Sequence, residues 1–466
     1  QVGFYRNHPS VVIWSMGNET GHGDCFRHAI AEVKRLDPSR PVHWECGNPD
    51  ADIDSRMYPH VDWVEKRGRY GDGLLDVMPA RRPGDRLDQT KGKVFLMCEY
   101  AHAMGNAIGN LREYWDVVYR YDSTLGGCIW DWVDQAVWKY TDRVDPKTGC
   151  RERYLAYGGD WDEFPHDGPF DCNGIIGADR KVTPKLVEVG HVYRNLVVTR
   201  GDDGSFELWN RHAFTFADDF NGRWDLREDG VVVKSGAIPM PHLKPLSRGP
   251  LPVDFGGFAF RPDREYSVNF DFSMRAQTPW AQPGWTVARD EVVLKALTNR
   301  LAAVKAPDAA GVRVVESEKA VEVEAGPTRA VFCRRSGTLC ELVMDGKTIL
   351  RDPAPGVTAG PLLTCARAFV DNDQWMRGNV KYEKRGEGNF FSKGLTQLTH
   401  HARPIRVNGN RIEVTTELTG RKSAGFTHHQ RWTFGSDGAV TLENTVVPHG
   451  DFPQAIPRLG LSLKLD

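Results

Sequence analysis

Glu19 and Glu99 stand 80 positions apart, and each closes an apolar run. Val11-Val12-Ile13-Trp14-Ser15-Met16 leads into Gly17-Asn18-Glu19, and Val94-Phe95-Leu96-Met97 leads into Cys98-Glu99-Tyr100. Short apolar runs bounded by turn residues suit strands buried on both faces, as in a parallel sheet. Carboxylates at the C-terminal ends of two such strands can face each other across the mouth of a barrel. Facing carboxylates cleave glycosidic bonds when one is protonated as acid and the other is ionised as nucleophile. A gap of roughly 5–5.5 Å gives retention and one of roughly 6.5–9.5 Å inversion. Taken singly, each glutamate also has an ordinary reading. Glu19 could be a surface residue or helix cap near Gly21-His22-Gly23, and Glu99 could belong to a structural ion pair.

Such a pair needs a scaffold of parallel strands. Residues 1 to about 190 alternate strand-like runs with helical patterns. The expected strands are Val11–Met16, Pro41–Cys46, Asp52–Tyr58, Lys93–Tyr100 and Gly126–Val133. Asp24 is placed to cap a helix carrying Phe26, Ile30 and Val33, and Ile108, Leu111, Trp115 and Val118 mark another. Five strands fall short of the eight in a (β/α)₈ barrel, so three are expected upstream of Gln1.

After about residue 193 the helical period disappears. Phe206–Trp209, Gly230–Val233 and Tyr266–Phe270 read as strands, beside turns at Asp202-Asp203-Gly204 and Glu228-Asp229-Gly230. From about residue 310, Val312–Val315, Ala320–Val323 and Arg411–Leu418 continue the pattern, and the alternation at Leu461–Asp466 reads as a strand cut short. The expected fold is therefore multidomain. Residues 1–192 form the C-terminal part of a TIM barrel, 193–305 an immunoglobulin-like β-sandwich, and 306–466 a larger antiparallel β-sandwich truncated at its C-terminus.

The net charge of −2 gives no electrostatic case for nucleic acid or an acidic membrane as partner, and no apolar stretch approaches a membrane span. Nine sparsely spaced cysteines without a Cys-x-x-Cys indicate neither a disulfide framework nor a zinc ribbon. Free thiols point to a reducing cytoplasm. The chain opens on Gln1 almost directly into a core strand, so upstream sequence is expected to be missing and a targeting signal cannot be judged.

The run Asn7-His8-Pro9-Ser10-Val11-Val12-Ile13-Trp14-Ser15-Met16-Gly17-Asn18-Glu19 resembles the acid/base signature of glycoside hydrolase family 2. Cys98-Glu99-Tyr100-Ala101-His102-Ala103-Met104-Gly105-Asn106 resembles the nucleophile signature of its β-galactosidase branch. Gly126–Gln135, Tyr157-Gly158-Gly159-Asp160 and Asn173–Arg180 agree in order and spacing. The likeness is dense over residues 4–190 and thinner beyond, apart from Asp371-Asn372-Asp373.

The resemblance implies a role for each matching residue. Glu19 would be the acid/base and a Mg²⁺ ligand, and Glu99 the nucleophile. Tyr58 would lie beside the nucleophile and assist departure of the covalent intermediate. Asn18 would bind the substrate at its 2-hydroxyl, and His102 would bind sugar hydroxyls. Trp130 would stack on the apolar face of galactose, with Trp132 left to the core. Phe170 and Asn173 would hold Na⁺ or another monovalent cation, with Asn173 also at the sugar. The family's usual Phe-Cys-Met-Asn reads Phe170-Asp171-Cys172-Asn173 here, which changes the middle of that loop. Trp375 could reach the aglycone side.

The implied substrate is a β-galactoside, and the implied full-length parent is a homo-oligomer. In the family, Mg²⁺ also takes ligands from an earlier barrel strand, which this chain lacks. Three alternatives stand beside this reading: a relative acting on another β-glycoside, a catalytically dead carbohydrate-binding protein, or a piece that is inactive on its own.

Overall fold

The computed structural model describes all residues except 22, 46–47, 71–91, 297–307, 355, 368–392, 422–423, 453–455 and 466. The chain divides into two compact units, Gln1–Leu297 and Thr298–Asp466. Among the described residues no helix is long and apolar enough to cross a membrane.

The first unit begins with helix α1 (Val2–Tyr5), strand β1 (Trp14–Ser15), helix α2 (Asp24–Leu36) and strand β2 (Val42–His43). β3 (Asp54–Met57), α3 (Val61–Tyr70), β4 (Phe95–Tyr100), α4 (Leu111–Val118) and β5 (Thr124–Ile129) follow. All five expected strands are present, most of them shorter than the apolar runs. They pair in parallel as β1–β2 and as β3–β4–β5. This is part of a (β/α) barrel, with alternate side chains facing helices on one side and the barrel interior on the other. α2 differs from expectation at its start. Gly23 occupies the cap position and Asp24 is already helical, so its carboxylate accepts from Arg27 Nη1 at 2.5 Å instead of capping.

The helix-facing side is apolar. Trp14, Val42 and Trp44 pack with Ile30 and Val33 of α2. Phe95, Met97 and Tyr100 pack with Trp63 and Val64 of α3, Leu111, Val117 and Val118 of α4, and Val189 and Val192 of α5 (Pro184–Val192). Gly127 lets β5 lie tight on β4, since a Cβ there would sit 2.8 Å from both the Met97 Cβ and the Tyr100 ring.

The interior side is polar, where barrels commonly carry Val, Ile and Leu. Ser15 Oγ lies 3.0 Å from His43 Nδ1, and His43 Nε2 lies 2.8 Å from Ser55 Oγ. The Ser55 hydroxyl in turn acts on the Cys98 thiol, easing part of the upward push of burial. One side chain from each of β1 to β4 thus forms a continuous ribbon. It matters because β2 and β3 share no strand ladder. Asp52 reinforces the same seam: its N–H donates to the Val42 carbonyl, and its Oδ2 accepts from the Val42 N–H, both at 2.8 Å. Burial pushes the His43 imidazole below its usual range and the Cys98 thiol up to about 12.

An antiparallel hairpin, β6 (Val137–Val144) with β7 (Arg151–Ala156), lies between β5 and α5. After α5 come β8 (Leu196–Arg200), β9 (Phe206–Asn210), β10 (Phe220–Glu228), β11 (Val231–Ile238), β12 (Ser247–Pro250), β13 (Tyr266–Met274) and β14 (Thr286–Lys295). They form two sheets, β12-β9-β8 and β11-β10-β13-β14. Leu196, Val198 and Leu208 from one meet Trp224, Leu226, Val268 and Phe270 from the other. This is the immunoglobulin-like sandwich. The Asp229-Gly230 turn takes positive φ at both residues, as a tight hairpin turn requires.

The second unit is antiparallel. Its first sheet runs β15 (Arg313–Glu316), β16 (Ala320–Ala325), β17 (Thr328–Cys333), β18 (Thr338–Met344) and β19 (Lys347–Arg351). Its second contains β21 (Thr399–Ala402), β22 (Arg406–Asn408), β23 (Arg411–Thr419), β24 (Gly425–Phe434) and β25 (Val440–His449), and β20 (Leu362–Thr364) pairs with β26 (Gly460–Ser462). Val321, Val323 and Phe332 of the first sheet pack on Ile412, Val414 and Phe434 of the second. The eight described cysteines are all free.

Candidate active site

The sequence-predicted residues of the barrel gather at the C-terminal ends of its parallel strands. Glu19 lies on the bend that leaves β1, Tyr58 directly follows β3, Glu99 is the penultimate residue of β4, and Trp130 directly follows β5. Met57 and Glu99 are register partners across β3 and β4, which sets Tyr58 beside Glu99. The Tyr58 N–H donates to the Glu99 carbonyl at 2.8 Å.

The Tyr58 phenol reports on both carboxylates. Burial pushes its pKa up first, and its hydrogen bond to the Glu99 side chain and the negative charges of Glu99 and Glu19 add to that. Both glutamates therefore act on one hydroxyl and favour its protonated form. Glu99 is half-buried, whereas Glu19 and Asn18 are exposed. Glu19, Tyr58 and Ala101 all take left-handed backbone conformations, with φ of 52°, 47° and 51°. For such residues this conformation is uncommon and clusters at functional sites.

His102 sits between aromatic rings. Its centroid is 6.1 Å from that of Tyr58 and 5.1 Å from that of Phe170. Burial pushes its imidazole below the usual range, and its Nε2 is shut off from solvent with no hydrogen-bond partner. A core histidine would normally have found one.

Trp130 is 40% exposed and offers an indole face. Its backbone N–H donates to the Tyr100 carbonyl at 3.0 Å, and its carbonyl accepts from Ala103 at 2.8 Å. Trp132, expected in the core, is 58% exposed. The regular strand ends at Ile129, so Trp132 lies on irregular chain beyond it and is not held in the core.

Asn173 is 2% exposed and fixes the Trp130 ring. In the orientation that satisfies both ends of its amide, its oxygen accepts from Trp130 Nε1 at 3.0 Å and its nitrogen donates to the Asp171 carbonyl at 3.1 Å. Turned over, the amide would set its oxygen against that carbonyl, as two ligands of one cation stand, but would also bring its nitrogen against the Trp130 Nε1–H, so a monovalent ion would have to share the oxygen that Trp130 already uses. Phe170 lies just before Asn173, in the short turn Gly168–Asp171. Mg²⁺ fares differently. Among the described residues no group of three or more His, Cys, Asp or Glu side chains is arranged to hold a metal ion. Glu19 alone does not supply the several oxygens Mg²⁺ takes, so these residues do not fit it. Asp371-Asn372-Asp373 and Trp375 lie outside the described residues.

One neighbour escaped the sequence reading. Glu45 Oε2 accepts a hydrogen bond from the Glu19 N–H at 3.0 Å. Its signal was present, because Val42-His43-Trp44-Glu45 is another strand run that ends on a glutamate.

Strand-end carboxylates on a (β/α) barrel joined to β-sandwiches define a class, and comparison with known proteins agrees. Residues 1–198 match the model of "Glycosyl hydrolases family 2, TIM barrel domain". The matched segment belongs to glycoside hydrolase family 2. Beyond it, residues 206–295 match "Beta-galactosidase, domain 4" and residues 324–466 match "Beta galactosidase small chain". A beta-galactosidase of Priestia megaterium is 30% identical over 98% of this chain and 41% of its own length. One of Streptococcus thermophilus is 31% identical over 88% of this chain and 38% of its own length. One of Photobacterium profundum is 28% identical over 99% and 44%. The chain thus spans less than half the length of these relatives.

Proposed function

We propose that the protein hydrolyses terminal β-D-galactosides with retention of configuration. Glu99 attacks the anomeric carbon while Glu19 protonates the departing glycosidic oxygen, which leaves a galactosyl ester on Glu99. Water then attacks that carbon, Glu19 takes its proton, and the Glu99 carboxylate leaves. The observation that supports this reading is the Tyr58 phenol, raised in pKa by burial and then by Glu99 and Glu19, all three residues lying at the C-terminal ends of barrel strands. Trp130 stacks on the sugar's C–H face, a turn of the His102 ring presents its unpaired Nε2 to a sugar hydroxyl, and Asn18 meets the 2-hydroxyl. Asn173 and Phe170 hold a monovalent cation near the sugar. Mg²⁺ beside Glu19 requires ligands beyond the described residues, and no step is assigned to it. The choice of galactose follows the names of the relatives.

The test is covalent trapping in the native full-length protein. A 2-deoxy-2-fluoro-β-galactoside with a dinitrophenolate leaving group should inactivate it with one equivalent of label on the peptide bearing Glu99, and Glu99→Gln should take none. Label elsewhere would overturn the assignment. Labelling only by the gluco- or manno-configured reagent would move the substrate to another β-glycoside.

A further inference from the structure

Glu19 lies on a bend with a left-handed backbone, and something must hold it there. Gly17, two residues earlier, has φ of 148°, and a Cβ at that position would stand 2.6 Å from Thr20 Cγ2. The turn from 17 to 20 is therefore tight and of unusual conformation. Two residues just beyond β2 hold it from one side. The Trp44 indole is fully buried, stacks on Phe26 of α2 with centroids 4.7 Å apart, and donates from Nε1 to Thr20 Oγ1 at 2.8 Å. The Glu45 N–H donates to the Gly17 carbonyl at 3.4 Å, and Glu45 Oε2 accepts from the Glu19 N–H at 3.0 Å.

We infer that Glu45 is a positioning residue for the acid/base glutamate: its carboxylate holds the Glu19 main chain in the conformation that aims the Glu19 side chain at the glycosidic oxygen. The inference rests on the reaction proposed above. A carboxylate accepting from an amide makes a stronger bond than a neutral acceptor would. The bond joins the ends of β1 and β2, so it passes the rigidity of the strand pair to a bend that leaves the sheet four residues earlier. A group moved by about 1 Å from its productive place can cost about 10²-fold in rate. The loss must depend on the leaving group. A sugar leaving group needs its oxygen protonated, whereas dinitrophenolate leaves without help.

The test compares Glu45→Ala and Glu45→Gln in the native full-length protein. With lactose, E45A should lower kcat/KM about 10- to 100-fold. With 2,4-dinitrophenyl β-galactoside, whose kcat/KM reports only the first step, the change should stay within about 3-fold. E45Q retains an oxygen that can accept from Glu19 and should recover lactose kcat/KM to within about 3-fold of wild type. Equal losses on both substrates, or an E45Q no better than E45A, would overturn the inference. Hydrogen exchange at the Glu19 amide gives a second readout that needs no substrate. It should quicken at least about tenfold in E45A, and unchanged exchange would sink the positioning role. If the native protein cleaves no galactoside, the proposed function fails while the exchange measurement still decides the part played by Glu45.

Discussion

A phenol acted on by two carboxylates keeps its proton, and Tyr58 is in that position. Its proton is the donor that the Glu99 side chain has beside it. In the reaction proposed above, Glu99 becomes a carboxylate again as it departs from the covalent intermediate, and a donor already in place would stabilise the developing charge. Tyr58→Phe removes that donor and leaves untouched the main-chain bond from residue 58 to the Glu99 carbonyl. Breakdown of the intermediate should slow about 10²-fold, in the range for one positioned proton-donating group. With 2,4-dinitrophenyl β-galactoside, kcat should fall while kcat/KM holds, and a burst of dinitrophenolate equal to the enzyme concentration should appear. No burst, with both constants falling together, would place Tyr58 in the first step instead. The glutamates were legible in the sequence because each ends a strand run that obeys simple periodicity, whereas Tyr58 and Trp130 were marked by the resemblance to the family. Glu45 also ends a strand run, but its tie to Glu19 was hidden because the partner is a backbone N–H on a bend, and such bends follow no period. Trp132 was misplaced because, with no role to match, it was left to the core by default, whereas the strand stops before it and leaves it exposed.

The elements that hold these residues depend on a few buried polar ties as well as on apolar packing. Arg67 of α3 is 1% exposed and reaches Asp54 at the start of β3. Its Nε donates to Asp54 Oδ2 at 3.0 Å, and its Nη2 donates to the Lys93 carbonyl just before β4 at 2.8 Å. One guanidinium therefore joins the strand leading to Tyr58 and the strand carrying Glu99 to the helix between them. Burial pushes the Asp54 carboxyl up despite that partner, so the pair is well removed from water. Arg67→Ala would leave Asp54 buried without its counter-charge and should cost about 3–5 kcal/mol. Urea unfolding followed by tryptophan fluorescence would measure it, and a change under about 1 kcal/mol would show the pair to be dispensable. Helices and strands were readable from their apolar repeats, but this tie was not. Asp54 and Arg67 are 13 residues apart across a turn, and only the folded register makes them neighbours. The polar ribbon Ser15–His43–Ser55–Cys98 was invisible for the same reason. Each member sits in a different strand, and none repeats a local pattern.

At the scale of the whole molecule the same burial has a consequence for pH. His43 in the first unit is 6% exposed and His428 in the second is 3% exposed. Burial holds both imidazoles below their ordinary range. His43 is fixed between Ser15 and Ser55, and His428 Nε2 lies 2.9 Å from Asn444 Oδ1. In the unfolded chain each titrates near about 6.5. Below that pH the unfolded chain binds protons that the folded chain refuses. Each histidine therefore contributes stability that is full above about 6.5 and is lost as pH falls toward its lower folded value. The loss approaches about 1.4 kcal/mol per pH unit for each group inside that window. Salt-bridged carboxylates such as Glu417 and Glu341 are depressed from a starting value near 4.5, so their losses begin at lower pH. A fall in the urea midpoint between pH 7 and pH 5.5 therefore belongs to the histidines. His43→Gln can keep hydrogen bonds to the flanking serines without a titrating ring. It should flatten that fall for the barrel-bearing unit and leave the second unit's response in place. Unfolding curves at the two pH values, read on wild type and H43Q, decide it: a slope that H43Q does not change would mean that His43 takes up its proton in the folded barrel at the same pH as in the unfolded chain.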